Sequence, residues 1–351
     1  MKPGSGNRGW IEFACVALAL AVAPLTAGAQ QTEHHVLRGD RVAIHNLAGE
    51  VRLEAGSGPD VVVRITRGGA DAARLSIRSG SIGGAETLRV LYPDDDVVYA
   101  ALRGGRTTLS VSGDGTLGRG GRRVTIRGSG RGLHAHADLT IAIPAGKRVA
   151  LHHGVGRIRV DGVSADLFVD AASAGIASKG TRGTLDLDTG SGSVKIEGAH
   201  GNLRVDTGSG AVTVEGVQGD RVLLDTGSGR VSGSNIDAAE VNVDTGSGSI
   251  DLAAVRADEV RLDTGSGGVR LELLSDIRLL DVDTGSGSVT VSIPDQLGAA
   301  IEMETGSGSI RFDIPIQVSR VERDHLIGRI GDGRGKIRIE TGSGGIHLTR
   351  Q

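Results

Sequence analysis

"LRVDTGSGAVTVEGVQGD", residues 203–220, carries the fold of the chain in one unit. Leu203 and Val205 alternate with Arg204 and Asp206, and Val212 and Val214 alternate with Thr213 and Glu215. Period-two alternation in aliphatic residues marks strands with one dry and one wet face. Two short strands therefore flank the turn "TGSG", and a second bend, "GVQGD", leads onward. At about 3.3 Å per residue, a five-residue strand is roughly 17 Å long.

The unit recurs. "DTGSG" first appears at Asp188, returns at Asp206, Asp225, Asp244, Asp263 and Asp283, and carries glutamate in front at Glu304 and Glu340. Successive motif acids lie 18, 19, 19, 19, 20 and 21 residues apart, and a last step covers 36. Worn copies stand upstream at Asp170 of "DAASAG" and His152 of "HHGVG". One such unit buries too little apolar surface to offset the entropy of ordering it, whereas stacked units share a continuous dry interior. The expected fold is all-β, a flattened β-solenoid of roughly 18–21-residue two-strand repeats over residues 146–351. About ten rungs at strand spacing would make a rod of roughly 48 Å. Residues 30–145 read as an irregular β-rich capping region, with strands such as "DVVVRIT" and "ADLTIAIP" between glycine-rich connections. A solenoid has an open edge at each end. The charged stretch from Arg320 to Lys336, where the motif skips a beat, either protects the far edge or faces a partner.

Turn chemistry explains the motif. Its glycines are expected at positive φ, and its aspartate is expected to fold back onto the N–H groups of the turn, with threonine and serine hydroxyls able to do likewise. Those hydrogen bonds would offset repulsion along the resulting column of carboxylates. Asp-Thr-Gly-Ser also surrounds the catalytic aspartate of aspartic proteases, but those enzymes bring together two aspartates from separate lobes to share one proton. Eight copies 18 to 36 residues apart do not form such a pair. A calcium ladder of the RTX kind needs a Gly-Gly-x-Gly-x-Asp order that the repeats lack.

Other chemistry is thin. His134, His136 and Asp138 of "HAHAD" fall at i, i+2 and i+4 of a strand, a spacing able to hold zinc. Leu133, Ala135, Ala137, Leu139, Ile141 and Ile143 occupy the opposite face, so the histidines read as an ordinary wet face. His152 and His153, in place of Asp-Thr, read as structural. The "GSG" turns imitate a nucleophile elbow without its strand-to-helix context. No catalytic, cofactor-binding or metal residue is assigned, and no cofactor is expected.

Residues 1–29 read as a secretory signal: Lys2 and Arg8, an apolar run from Phe13 to Leu25, then Ala27, Gly28 and Ala29. The apolar run is shorter than the roughly 20 residues of a membrane span. The single cysteine, Cys15, lies inside it, so the exported chain would hold no thiol. The chain has 39 Lys+Arg against 42 Asp+Glu and only 2% aromatic residues, which disfavours a nucleic-acid binder. Export leaves periplasm, cell surface and medium as destinations.

Four stretches together resemble the bacterial family of β-strand repeat proteins grouped as candidate adhesins, a domain of unknown function. They are "GDRVAIHNLAGEVRL", "LTIAIPAGKRVALHHGVGRIRVDGV", the "LDLDTGSGSVKIEG" repeats and the closing "IGDGRGKIRIETGSGGIHL". The resemblance implies a β-solenoid on an exported protein and brings no catalytic residue with it. The expected function is a non-enzymatic adhesin or cell-envelope scaffold that binds a surface, a glycan or an envelope protein, with no nucleic acid and no membrane span after signal cleavage. The alternative is a carbohydrate-active β-helix enzyme, a lyase or glycoside hydrolase, which would need long loops and aromatic sugar platforms.

Overall fold

The computed structural model describes residues 32–118 and 120–351; the expected signal segment lies outside them. The described residues form one 24-stranded sheet and one three-stranded sheet. Parallel ladders stack each repeat on the next, with one register shift, between Leu252 and Val255 where Ile250–Thr264 meets Val269–Leu273. Thus Leu203, Val205, Asp206 and Thr207 pair with Val222, Leu224, Asp225 and Thr226, and the register continues through Asp244, Asp263 and Asp283. The inward residues Leu187, Val205, Leu224, Val243, Leu262 and Val282 are buried together with Val214 and Leu252 from the opposite side of the coil. The protein is an all-β solenoid whose core is this aliphatic column.

Each coil has a strand ending in Asp-Thr, the TGSG turn, a second strand, a bend, and a short run into the next coil. The bend needs a left-handed residue. Gly162, Gly180, Gly198 and Gly216 take φ of 65, 63, 68 and 66° there, and Asn235 and Ala254 follow at 54° each. The turn glycines behave differently from expectation. Apart from Gly192 at φ 157°, none of the DTGSG or ETGSG glycines has positive φ. They are required by proximity: a Cβ on Gly210, Gly229, Gly248 or Gly267 would stand 1.8 Å from the carbonyl oxygen of the equivalent glycine one rung below.

The division anticipated at residue 145 does not coincide with a change of architecture. Arg41–Ala48 and Val51–Ala55 form a coil of their own, stacked in parallel on Arg148–Asp161. His45 and Asn46 thereby extend the Asp and Thr columns by one rung, in register with His152 and His153. The chain then leaves the stack and returns at residue 148. Within that excursion, Ala85–Leu91 adds to the edge of Arg41–Ala48, and Ser76–Ile82 pairs antiparallel with it. His136–Ile143 adds in parallel to Val51–Ala55 and is followed outward by Val61–Gly68 and Thr32–Leu37. These strands cover both sides of the first coil.

At the other end, spatial order departs from chain order. Asp283 is paired with Glu340, and Glu340 with Glu304, so the last coil of the sequence lies between the two that precede it. Strand Ala299–Thr305 is gripped on its outer edge by the antiparallel His325–Ile330, on which Gln317–Val321 packs. That outermost strand shifts register between Val318 and Arg320, and such an irregularity blunts an edge against further pairing.

Three substitutions test these backbone demands by chemical denaturation. Ala254→Gly relieves a left-handed alanine and is expected to stabilise by about 0.5–1 kcal/mol. Gly248→Ala is expected to destabilise by about 2 kcal/mol or more through collision with Gly229 O. Gly113→Ala, with open space around it and no positive φ, is expected to change stability by less than about 0.5 kcal/mol.

Candidate functional site

Strand alternation decides what the motif presents to solvent. Thr189, Thr207, Thr226, Thr245, Thr264 and Thr284 point inward and are fully buried. From Thr207 onward each hydroxyl closes its turn from inside. Thr226 Oγ1 donates to Gly210 O of the rung below at 3.0 Å and accepts from Gly229 N at 3.1 Å, and Thr245, Thr264 and Thr284 repeat the pair. The expected Asx-type fold-back of the aspartate therefore gives way to threonine, because Asp sits one residue earlier, on the outer face of the strand.

The carboxylates form a column down that outer face, in the order Asp170, Asp188, Asp206, Asp225, Asp244, Asp263, Asp283, Glu340, Glu304. Three of them meet a cation or histidine: Asp170 with His152 at 3.1 Å, Asp206 with Arg204 at 3.1 Å and Glu340 with Arg338 at 2.6 Å. Among the described residues, Asp188, Asp225, Asp244, Asp263 and Asp283 form no ion pair. Partial burial, followed by the neighbouring carboxylates, raises the pKa of Asp188, Asp225 and Asp263. The bend edge is the opposite case: Arg221, Glu240, Arg261 and Glu259 form a paired network across coils, with Arg278 joined to Glu259.

The column ends in histidines. The His45 and His152 rings stack with centroids 4.5 Å apart and planes 7° from parallel, and Phe168 lies edge-on to His152 at 5.7 Å. His45 Nδ1 accepts from Leu117 N at 3.1 Å. Burial, and then the charge His152 would carry, lowers its pKa to about 4. Inside, His153 takes the threonine position with Nε2 3.0 Å from Gly49 O, and burial lowers its pKa to about 4 as well. Asn46 bridges Ala48 O and Ala137 O through Nδ2 and accepts from the Tyr92 hydroxyl at 3.0 Å. His45 and Asn46 were missed in the sequence because residues 56–147 interrupt the period. The signal available was the match of "IHNLAG" to "LHHGVG".

The zinc-spaced trio is dispersed into structural roles. Asp138 Oδ1 accepts from Glu50 N at 2.7 Å, and His136 leans on the Tyr99 ring at 5.3 Å, with Nε2 3.9 Å from Asp138 Oδ2. His134 precedes the strand and is exposed; its backbone N donates to Asp71 Oδ2. With Tyr99, whose hydroxyl pKa is raised to about 12 by burial first, they line a recess of about 400 Å³. Among the described residues, no group of three or more His, Cys, Asp or Glu is placed to hold a metal ion. No described helix is long and apolar enough to cross a membrane.

The Toastrack DUF4097 family matches residues 122–349, the region that contains every TGSG coil and the crossed C-terminal end. The chain belongs to the Toastrack family. A comparison with solved structures returns two that match this Toastrack protein over most of its length. A candidate cell adhesion protein from Clostridium sporogenes is 11% identical, with 92% of this chain and 99% of the other covered and a TM-score of 0.24. A candidate adhesin from Bacteroides fragilis is 12% identical, with 91% and 96% covered and a TM-score of 0.38. At those TM-scores neither carries an argument about fold or function. No curated protein sequence matches this Toastrack chain.

The shifts predict opposite responses to acid. A carboxyl whose folded pKa is raised favours the folded state below its ordinary pKa and loses that benefit as pH rises through the raised value. Asp225→Asn is therefore expected to be more stable than the parent at neutral pH, with the gap closing below about pH 4. His153 works the other way. Its stabilisation is present above pH 6.5 and lost as pH falls toward about 4, on the order of 3 kcal/mol. An NMR titration of the His153 ring is expected to show a midpoint far below 6; a midpoint above 6 contradicts its burial as a neutral ring.

Proposed function

We propose that this Toastrack protein is an exported, non-enzymatic scaffold of the cell envelope, and that its working surface is the aspartate column. The carrying observation is the contrast between the two edges of the solenoid. Arginines pair with the glutamates along the bend edge, whereas among the described residues five column aspartates have no ion-pair partner. A rigid row of like charges about 4.8 Å apart suits a partner that carries several positive charges in an extended array, on a basic envelope protein or an amine-bearing surface polymer. The buried threonine bonds hold the row in register, so the partner meets a preorganised surface.

The test is capture from fractionated envelopes of the producing cell, using the chain tagged after Gln351. Capture is expected to fall at least tenfold between low and 0.5 M salt, and likewise in the triple variant Asp225→Asn, Asp244→Asn, Asp263→Asn. Binding that ignores both salt and the triple variant sinks this assignment of the surface. Release of unsaturated or reducing ends from a glycan panel sinks the non-enzymatic reading.

A further inference from the structure

The crossed C-terminal end defines a slot one rung wide. One wall is Leu279–Thr284 with Val289–Ile293, and the other is Ala299–Thr305 with Ile310–Phe312. Gly335–Thr341 and Ile346–Arg350 fill the space and pair with both walls. Among the described strands no ladder joins the walls directly; residues 294–298 carry the chain across two rungs at once. The insert supplies what the gap needs. Ile337, Ile339, Ile346 and Leu348 are buried in the core, Gly342 N donates to Thr284 O at 3.0 Å, and Gly306 N donates to Thr341 O at 3.0 Å.

The slot is selective by shape. A Cβ at Gly342 would lie 2.3 Å from Gly285 O, and one at Gly344 would lie 1.9 Å from Gly287 O. On the other wall, Cβ atoms at Gly306 and Gly308 would meet Gly342 O at 2.4 Å and Gly344 O at 1.9 Å. Thr341 Oγ1 donates to Gly287 O at 2.9 Å, and Thr305 Oγ1 donates to Gly344 O at 2.8 Å. An occupant must therefore bring two alternating aliphatics, Thr-Gly-x-Gly, and two more alternating aliphatics. Residues 337–348, "IRIETGSGGIHL", have that pattern, and so does the same stretch of any second copy.

This coil follows both of its walls in sequence. Ala299–Thr305, His325–Ile330 and Gln317–Val321 form an antiparallel meander from near neighbours in sequence. The insert makes its full set of ladder bonds only when both walls are present, because it pairs with each. Its lead-in, residues 331–334, arches over the start of Ala299–Thr305, with Gly331 and Gly333 at φ 54 and 73° and Asp332 Oδ1 2.1 Å from where a Gly298 Cβ would be. A short arch between a docked hairpin and a docked coil is a hinge about which the coil can leave and re-enter.

We propose that residues 335–351 are an exchangeable terminal coil, and that the slot accepts this coil from a second copy of the chain to give a reciprocal two-fold dimer. Exchange reproduces every contact of the closed monomer, so it needs no new interface and is governed by concentration. The test uses a Cys15→Ser background, which removes the only thiol of the chain. Asp283→Cys is introduced in one preparation and Glu340→Cys in another, because these residues are register partners on adjacent strands. After mixing at high concentration, warming below the unfolding midpoint and oxidation, a covalent heterodimer is expected. Its yield should be at least tenfold above that of an Asp225→Cys and Asp244→Cys mixture, partners in the same column but within consecutive coils. A chain carrying both Asp283→Cys and Glu340→Cys, oxidised when dilute, verifies that the pair can close. If that double variant closes while the 283/340 mixture yields no more dimer than the 225/244 mixture, exchange is refuted. Equal high yields in both mixtures refute it too, since exchange would then not be a property of the slot.

Discussion

The closeness of one turn to the next governs the whole molecule. Carbonyl oxygens of the glycine column stand 1.8 Å from where a Cβ would be on the rung above, closer than any side chain permits. Once backbones approach that far, the Thr hydroxyl reaches the carbonyl of the neighbouring rung, the aliphatic columns of successive coils touch, and the central ladders hold one register. Glycine entropy and carboxylate repulsion both oppose this packing. They are tolerated because the same geometry is satisfied on every rung, so each coil is held by two neighbours.

A hydroxyl rather than a carboxylate holds the turn, and this separates structure from display. Threonine faces inward and carries the fold; aspartate faces outward and is free of it. At the bottom of the stack the division persists with other residues, since His153 and Asn46 occupy the inward position and His152 and His45 the outward one. The outward pair stacks ring on ring, with burial favouring the uncharged form of His45. The acidic surface thus begins where the cap ends.

Much of this was legible in the chain. The 18–21-residue period, the alternation in "LRVDT" and "AVTVE", and the paired glycines gave the solenoid and the inward aliphatic column. The same alternation places Asp206 outward and Thr207 inward; the Asx expectation overlooked it in favour of local turn chemistry. The coil at residues 41–55 was hidden because a long excursion breaks the period, and stacking depends on spatial rather than sequential adjacency. The crossing of the Glu304 and Glu340 coils left only the step of 36 as a trace. Coils with interchangeable motifs stack equally well in either order, so nothing local records which came first. The His134, His136 and Asp138 spacing was real, but Glu50 N and the Tyr99 ring engage two of the three, and only folding shows that.

The register between Thr207 and Thr264 has a bearing on how such a chain can change its length. Three consecutive ladders there match residue for residue over a 19-residue step. A duplicated or lost 19-residue segment in this span would meet the same glycine oxygens and the same aliphatic column on both sides. Both caps would still find their seats. The molecule is a ruler whose middle divisions can be added or removed, while the histidine pair at one end and the interleaved coils at the other stay as they are.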